Sequence, residues 1–299
     1  MTITRVATSS IRELMLKSAN KGRGQIADYE TQIATQQKAS RYTDMVGHLP
    51  KFNFVQNEIA KIGQYKENMD NVLARIQSTE GVLNSVYRML DEMTTMTIQA
   101  RNPGNQNGRI DLIAQNYKAE LANALNRSIA GVYLFGGNEI SIPPVDINPS
   151  NDNQAALATG QYYVGSGKSL NATTDGSTVL DYGLKADDDW ATYFFSGLQR
   201  IIDQPNDHVA LGLALDDVNR AMDELTQAMA KVGHQMKTFE QAKEDHVAFE
   251  TIYQEDIITM NGADVPYAMA RITDLILSQE GIFSLIAKES RLSLADYLQ

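Results

Sequence analysis

Two long proline-free intervals constrain this chain more than any other feature of its sequence. Its seven prolines leave residues 51–102 and 206–265 uninterrupted, and proline is the residue that a helix interior tolerates least. Apolar residues recur through both intervals at steps of three and four, which is the spacing of one continuous helical face. The sequence therefore predicts two helices several times longer than the globular average of about 11–12 residues.

The apolar stripes of the two intervals have the spacing of coiled-coil seams. The first repeats every seven residues, at Val55, Ile62, Met69, Ile76, Leu83 and Leu90. The second alternates steps of three and four, at Leu215, Val218, Met222, Leu225, Met229, Val232, Met236 and Phe239. These seams predict a mainly α chain, an elongated helical bundle or coiled coil.

Three further helices are predicted outside these intervals. One runs from Ile110 to about Ile129, after a turn at Asn102-Pro103-Gly104, and a short one covers Trp190–Ile202. The last runs from about Asp264, as its N-cap, to Leu292.

Residues 138–188 interrupt the helical pattern with prolines, glycines and clusters of turn-forming residues. Short β-rich runs at Gln161–Val164 and Ser177–Leu180 predict strands. We therefore expect a small acidic β-rich insert whose removal disturbs the helical bundle little.

Composition and spacing exclude several kinds of chemistry. The chain has no cysteine and four widely separated histidines, which disfavours thiol catalysis, disulfides and zinc sites. A formal charge of −11 argues against a protein that coats nucleic acid. The glycine-rich run Gly160–Ser169 resembles a phosphate-binding loop but has Tyr162 where that motif needs glycine, and Asp187–Asp189 are interpreted as a solvated loop with Asp189 capping the next helix. The sequence predicts no enzyme, no cofactor and no metal.

Both ends of the chain carry apolar patterns, although chain ends are usually frayed. No apolar run is long enough to span a membrane, and charged residues interrupt the apolar stretch at Ile11–Leu16 that a cleaved export signal would need. Exposed apolar faces at both ends are typical of a subunit that assembles with its neighbours. The predicted assembly-interface residues are Ile3, Val6, Ile11, Leu14, Ile26, Ile33, Ile282, Phe283, Ile286, Leu292, Leu294 and Leu298.

Three motifs resemble those of the flagellar hook-filament junction proteins, the third hook-associated proteins (FlgL) of the flagellin family. The string at residues 131–138 is similar to the Gly-x-Tyr-Leu-Phe-Gly-Gly signature of that family, and the end of the chain, from Asp264 to Leu298, resembles its closing helix. Val232-Gly233 resembles a step in the family's long helix. The signature residues are Gly131, Tyr133, Leu134, Phe135, Gly136 and Gly137.

The resemblance implies a flagellin-like helical bundle that carries a small inserted β-rich domain. It also implies a structural subunit outside the cell, exported unfolded through the flagellar type III channel without a cleaved signal peptide. The implied partners are copies of itself, the first hook-associated protein, flagellin or the filament-capping assembly, and an export chaperone that holds the C-terminal helix. The expected parts are an N-terminal assembly and export segment (1–45), two halves of a rod (46–137 and 189–262), the insert (138–188) and a C-terminal assembly helix (263–299).

Three other interpretations stay open. The chain could be a small flagellin that forms the filament itself, or an intracellular coiled-coil interaction module. A hydrolase or nucleotide-dependent enzyme could use the acidic loop and Lys168. Polymerisation of the purified protein alone, cell fractionation and a Lys168→Ala substitution distinguish these three from the junction subunit.

Overall fold

The computed structural model describes residues 2–39, 49–102 and 109–295, and the side chains of residues 10–39, 49–102 and 109–289. Most of the predicted turn at Asn102-Pro103-Gly104 lies outside the described residues. The prediction of a mainly α chain with a small β part is confirmed. The helices are α1 (Thr2–Thr35), α2 (Leu49–Ala100), α3 (Ile110–Leu125), α4 (Gln154–Ala158), α5 (Asp189–Asp203), α6 (His208–Asn261) and α7 (Val265–Ala295).

Four short strands form two antiparallel hairpins. Strand β1 (Ser128–Ile129) pairs with β2 (Val132–Tyr133), and β3 (Leu170–Thr173) pairs with β4 (Val179–Tyr182). In the second hairpin, Leu170 lies opposite Tyr182 and Thr173 lies opposite Val179.

The two long helices form where the proline-free intervals predicted them. Helix α2 has 52 residues and α6 has 54. All six members of the seven-residue repeat in α2, from Val55 to Leu90, are buried. In α6, Val218, Leu225, Val232 and Phe239 are buried in the same way. The stripes are thus the faces that the helices bury, which is where most helix stability in proteins originates.

The chain divides into two compact units, and their boundaries fall inside α2 and α6. Unit 1 comprises residues 1–61 and 249–299, and unit 2 comprises residues 62–248.

Unit 2 has a continuous aromatic core centred on α5. Phe135 packs edge-on against Trp190, with ring centroids 6.2 Å apart, and Tyr162 packs against Phe195 at 4.6 Å. Phe135 precedes the insert and Tyr162 lies within it, and both belong to the same buried cluster as Met69–Leu90 of the α2 stripe and Val218–Phe239 of the α6 stripe. The insert therefore supplies core side chains, and on this structure we expect its removal to disturb the bundle, contrary to the expectation from the sequence.

Helix α3 ends earlier than its apolar pattern predicted. It stops at Leu125, and Ile129 lies in β1 rather than on the helix. The side-chain amide of Asn126 exchanges two hydrogen bonds with the backbone of Val145, at 2.8 and 2.9 Å. Ala130 and Gly131 then adopt φ values of 50° and 80°. A helix cannot continue through two residues in this left-handed conformation, so the chain turns back into β2.

The predicted strand at Gln161–Val164 does not form. Tyr163 makes only an isolated bridge to Val145, and the preceding segment contains the short helix α4, which the sequence did not predict. The hydroxyl of Tyr162 donates to the carbonyl of Ala186 at 2.7 Å from within the core. This bond and the core hold the Tyr162 side chain, and the segment does not pair as a strand whose side chains alternate between two faces. The run at Ser177–Leu180 is only partly a strand, because β4 begins at Val179.

Helix α5 begins one residue earlier than predicted. Asp188 occupies the N-cap position, and Asp189 is the first helical residue. The predicted cap of the last helix is confirmed, because the side-chain oxygen Oδ1 of Asp264 accepts a hydrogen bond from the backbone N–H of Tyr267 at 3.0 Å. Such a bond satisfies one of the donors that the start of a helix leaves unpaired.

Candidate assembly interface

In unit 1, helices α1 and α7 pack against each other in antiparallel order. Gln279 Nε2 donates to the carbonyl of Ala19 at 3.3 Å, and Tyr29 packs edge-on against Tyr267, with ring centroids 6.5 Å apart. Residues that face each other therefore have numbers that sum to about 298. The residues turned toward the partner helix recur at steps of three and four: Met15, Ala19, Gly22, Ile26, Tyr29 and Ile33 on α1, and Ala268, Ile272, Leu275, Gln279, Ile282 and Ile286 on α7.

A set of backbone and side-chain hydrogen bonds closes one end of this helix pair. We call this set the Asn261 clasp. It joins residues 36–39, which follow α1, to residues 261–263, which comprise the last residue of α6 and the two residues after it. The N–H of Lys38 donates to the Asn261 carbonyl at 2.7 Å, and the N–H of Ala263 donates to the Gln36 carbonyl at 3.0 Å. The Asn261 side chain accepts from the N–H of Ala39 at 2.8 Å and donates to the Ala39 carbonyl at 3.3 Å. Asn261 is buried, at 5% exposure, and its side chain is the polar centre of the clasp.

The α1–α7 pair exposes apolar side chains on both sides of its seam. On the first side, which we call the Phe283 flank, Arg23 lies over the ring of Phe283, 5.7 Å from its centroid. The other members of this flank are Leu16 on α1 and Met269 and Ile276 on α7. The opposite side, the Leu14 flank, carries Leu14, Tyr267 and Leu285. Each of these apolar side chains is at least two-fifths exposed.

The structure divides the predicted interface residues into three groups. Ile26, Ile33, Ile282 and Ile286 are half-buried on the seam within the chain. Ile11, Leu14 and Phe283 are exposed, at 46%, 64% and 41%. The side chains of Ile3, Val6, Leu292 and Leu294, and the whole of Leu298, lie outside the described residues. A role of any of these residues in assembly stays a prediction.

Sequence reasoning missed part of this surface. Met269 and Ile276 precede Phe283 by fourteen and seven residues, so the heptad spacing of the Phe283 flank was visible in the sequence. Leu16 was visible only as an apolar residue near the N-terminus. The Asn261 clasp had no sequence signal, because it joins residues 222 positions apart.

The signature loop at residues 131–137 performs a structural task in unit 2. Arg75 of α2 donates to the carbonyls of Tyr133 and Leu134, at 3.3 Å for the second, and burial lowers the pKa of its guanidinium. The carbonyl of Phe135 accepts from the N–H of Ala186 at 3.0 Å, and that of Gly136 accepts from the N–H of Ser166 at 2.9 Å. The loop therefore holds α2 and two further loops together, and Leu134 and Phe135 fill the core.

The acidic loop and the Lys168 region, which could have suggested an enzyme, form ion pairs and hydrogen bonds with nearby loops. Lys185 Nζ lies 3.3 Å from a carboxylate oxygen of Asp187, and its backbone N–H donates to Asp188 Oδ2 at 2.9 Å. Burial raises the pKa of Asp188. The carbonyl of Lys168 accepts from the N–H of Asn138 at 2.9 Å, and β3 rather than a helix follows at Leu170.

Among residues 2–39, 49–102 and 109–295, no three or more His, Cys, Asp or Glu residues are grouped so that they could hold a metal ion. In the same part of the chain, no helix is both long and apolar enough to cross a membrane.

Comparisons with known proteins identify the fold. No family model matches the sequence, and no curated protein matches it. Solved structures do match it, among them a protein of Vibrio parahaemolyticus assigned as a flagellar hook-associated protein (17% identity, TM-score 0.60), FlgL of Bacillus cereus (18%, 0.53) and flagellar hook-associated protein 3 of Legionella pneumophila (13%, 0.59). They cover 70%, 71% and 70% of this chain, and 95%, 98% and 98% of their own. The chain therefore has the fold of flagellar hook-associated proteins.

Proposed function

We propose that this protein is a structural subunit of the bacterial flagellum that connects the hook to the filament. Its fold is that of proteins described as hook-associated, and the likeness covers almost the full length of each of them. At these identities, the likeness shows the fold. The functional proposal is carried by one observation of this chain, which is the exposed apolar surface of the α1–α7 pair.

That surface exposes several large apolar side chains to solvent. Burial of an exposed aliphatic or aromatic side chain stabilises an interface by about 1.5–3 kcal/mol. The Phe283 flank offers four such side chains, and the Leu14 flank offers two besides the amphipathic ring of Tyr267. Exposed apolar side chains repeated along one side of a helix pair are typical of an interaction site. Neighbouring copies of the same chain are the occupants we propose for both flanks.

The remaining partners follow from the resemblance alone. We propose the first hook-associated protein on the hook side and flagellin or the capping assembly on the other. We also propose export through the flagellar type III channel, with a chaperone on the C-terminal helix before export, and a final location outside the cell. The proposed role is structural and needs no catalysis.

The test is complementation of a strain that lacks the gene. We expect a chain without residues 283–299 to leave cells with hooks but no filaments in electron micrographs, because the truncation removes Phe283 and Leu285 from the two flanks. The matched control is Val179→Glu, which places a charge at a 57% exposed apolar position of unit 2, and we expect it to restore filaments.

Three results would contradict the proposal. Normal filaments with the truncated chain would show that the end of α7 is dispensable. Long filaments formed by the purified protein alone would identify a flagellin instead. Normal flagella in the strain without the gene, with the protein retained in the cytoplasm, would favour an intracellular interaction module.

A further inference from the structure

The seam of the α1–α7 pair does not define its own register. Its members recur at steps of three and four on both helices, so the pattern repeats every seven residues. If α1 slipped by seven residues, about 10 Å along the axis at 1.5 Å per residue, apolar residues would again face apolar residues. Ile26, which lies level with Ile272, would then face Val265 in one direction; in the other direction it would meet Gln279, a polar member of the seam.

The polar contacts of the pair exist in one register only. The Asn261 clasp needs residues 36–39 level with residues 261–263, because four of its hydrogen bonds join these two segments. A slip would leave the 5% exposed Asn261 amide without its partners, and an unpaired buried amide is costly.

Gln279 adds a second polar contact, in the middle of the seam. Its Nε2 donates to the Ala19 carbonyl at 3.3 Å, and a Cβ added to Gly22 would lie only 3.1 Å from it. Small residues at positions 19 and 22 thus make room for the amide. A slip of seven residues in one direction would place Ile26 against Gln279 and remove its hydrogen-bond acceptor.

We propose that Asn261 and Gln279 are the residues that set the register of α1 on α7. Buried amides have this role in coiled coils, where one asparagine fixes the alignment that the apolar residues leave open. Register decides which side chains share a surface, because Arg23 of α1 lies over the Phe283 ring only in the observed alignment. This last consequence rests on the proposed function, whereas the register itself does not.

Cross-linking can read the register directly, because the chain has no cysteine of its own. Cysteine is placed at Ile272 and, in separate variants, at Ile26, which is in register, or at Ala19 or Ile33, which are one heptad to either side. We expect the full chain with Asn261 and Gln279 intact to cross-link at the Ile26 position at least about tenfold more than at the other two, because the other registers leave a buried amide unpaired. The reaction is run on the purified chain and on chains recovered in assemblies.

The variants Asn261→Ala and Gln279→Leu are each expected to reduce that preference, and the double variant is expected to bring the three yields within about threefold of one another. Gln254→Ala is the matched control. It removes, from the same helix as Asn261, an exposed amide whose Nε2 donates to Glu250 Oε1 at 3.4 Å, and we expect it to keep the parental preference. Fluorescence of the single tryptophan, Trp190, verifies that unit 2 stays folded in every variant.

The proposal is overturned if the double variant keeps the parental preference, or if the parent shows no preference in either preparation. The outcome is independent of the proposed function. A chain that cross-links in register but never enters flagella would contradict the junction role and leave the register assignment intact.

Discussion

The two units of this molecule use their apolar residues in opposite ways. Unit 2 encloses its large side chains in a continuous core that includes Trp190, Phe135 and Tyr162. In the described part of unit 1, the buried hydrophobic residues are Ala19, Phe52, Val55 and Ala268. Many of its larger apolar side chains face outward, with Leu14 64% and Leu277 61% exposed.

This difference shows which region is complete within a single chain. Unit 2 contains the partners that its apolar side chains need, so its stability is intramolecular. In unit 1, the α1–α7 pair has a half-buried seam, and the apolar side chains on both of its flanks are exposed. We expect unit 2 to fold as a cooperative domain in the isolated chain, and unit 1 to gain much of its stability from its neighbours.

The largest expected effect comes from removing one aromatic ring from each unit. Phe135→Ala should destabilise unit 2 by about 3–5 kcal/mol, because it creates a cavity beside Trp190 in a close-packed core. The matched variant Phe283→Ala should change the stability of the purified chain by no more than about 0.5 kcal/mol, since Phe283 is partly solvated, yet it should impair assembly.

Denaturant unfolding followed by Trp190 fluorescence measures the first effect, and flagellar assembly in complemented cells measures the second. Equal losses of stability in the two variants would remove the distinction between the units.

A second, smaller effect concerns how tightly the signature loop is built into unit 2. Gly137 has φ of 60°, and a Cβ there would lie 2.4 Å from the carbonyl oxygen of Ser166. Gly137→Ala should therefore cost about 3 kcal/mol, from the left-handed conformation together with the forced displacement of backbone. Gly131→Ala is the control, because its φ is 80° but no atom lies within 4 Å of the added Cβ.

For Gly131→Ala we expect only the conformational cost of about 1–2 kcal/mol. The difference between the two midpoints of chemical unfolding is the measurement. Identical midpoints would mean that the loop has room to move and is not tightly packed.

The smallest effect tests whether α7 has intrinsic stability apart from its neighbours. Asp264→Ala removes the N-cap of α7 and should destabilise that helix by about 1 kcal/mol, whereas Asp264→Asn keeps the accepting oxygen and should cost little. Hydrogen exchange at Tyr267 and Ala268 in the purified chain reports the change. Slow exchange that is identical in all three proteins would indicate that packing, not the cap, holds the start of α7.

The features that the sequence predicted are those encoded by local periodicity. Proline positions and heptads such as Met69, Ile76 and Leu83 were sufficient for the long helices and their buried faces. The Asp264 cap was equally predictable, because a cap depends on residues three positions apart. The motif at residues 131–137 correctly pointed to the fold, although its role proved to be internal support.

The errors have a common physical cause, which is the dominance of tertiary contacts over local preference. Asn126 ends α3 because Val145, nineteen positions away, accepts and donates its hydrogen bonds. Tyr162 leaves its predicted strand because the core beside Phe195 accommodates its ring. In the candidate interface, the sequence could identify the apolar residues of α1 and α7. It could not separate the seam from the flanks, since that distinction depends on which helix packs against which.

The unlikeness of the two flanks has a consequence for any structure built from this subunit. The Phe283 flank is a row of methionine, isoleucine and phenylalanine with Arg23 over it, whereas the Leu14 flank carries leucines and a tyrosine. A contact that joins the Phe283 flank of one copy to the Leu14 flank of the next is heterologous, and heterologous contacts build rings or helices. A layer assembled in that manner has polarity, so its two ends are different surfaces. A connector between two unlike polymers needs two such ends, and a symmetric dimer cannot supply them.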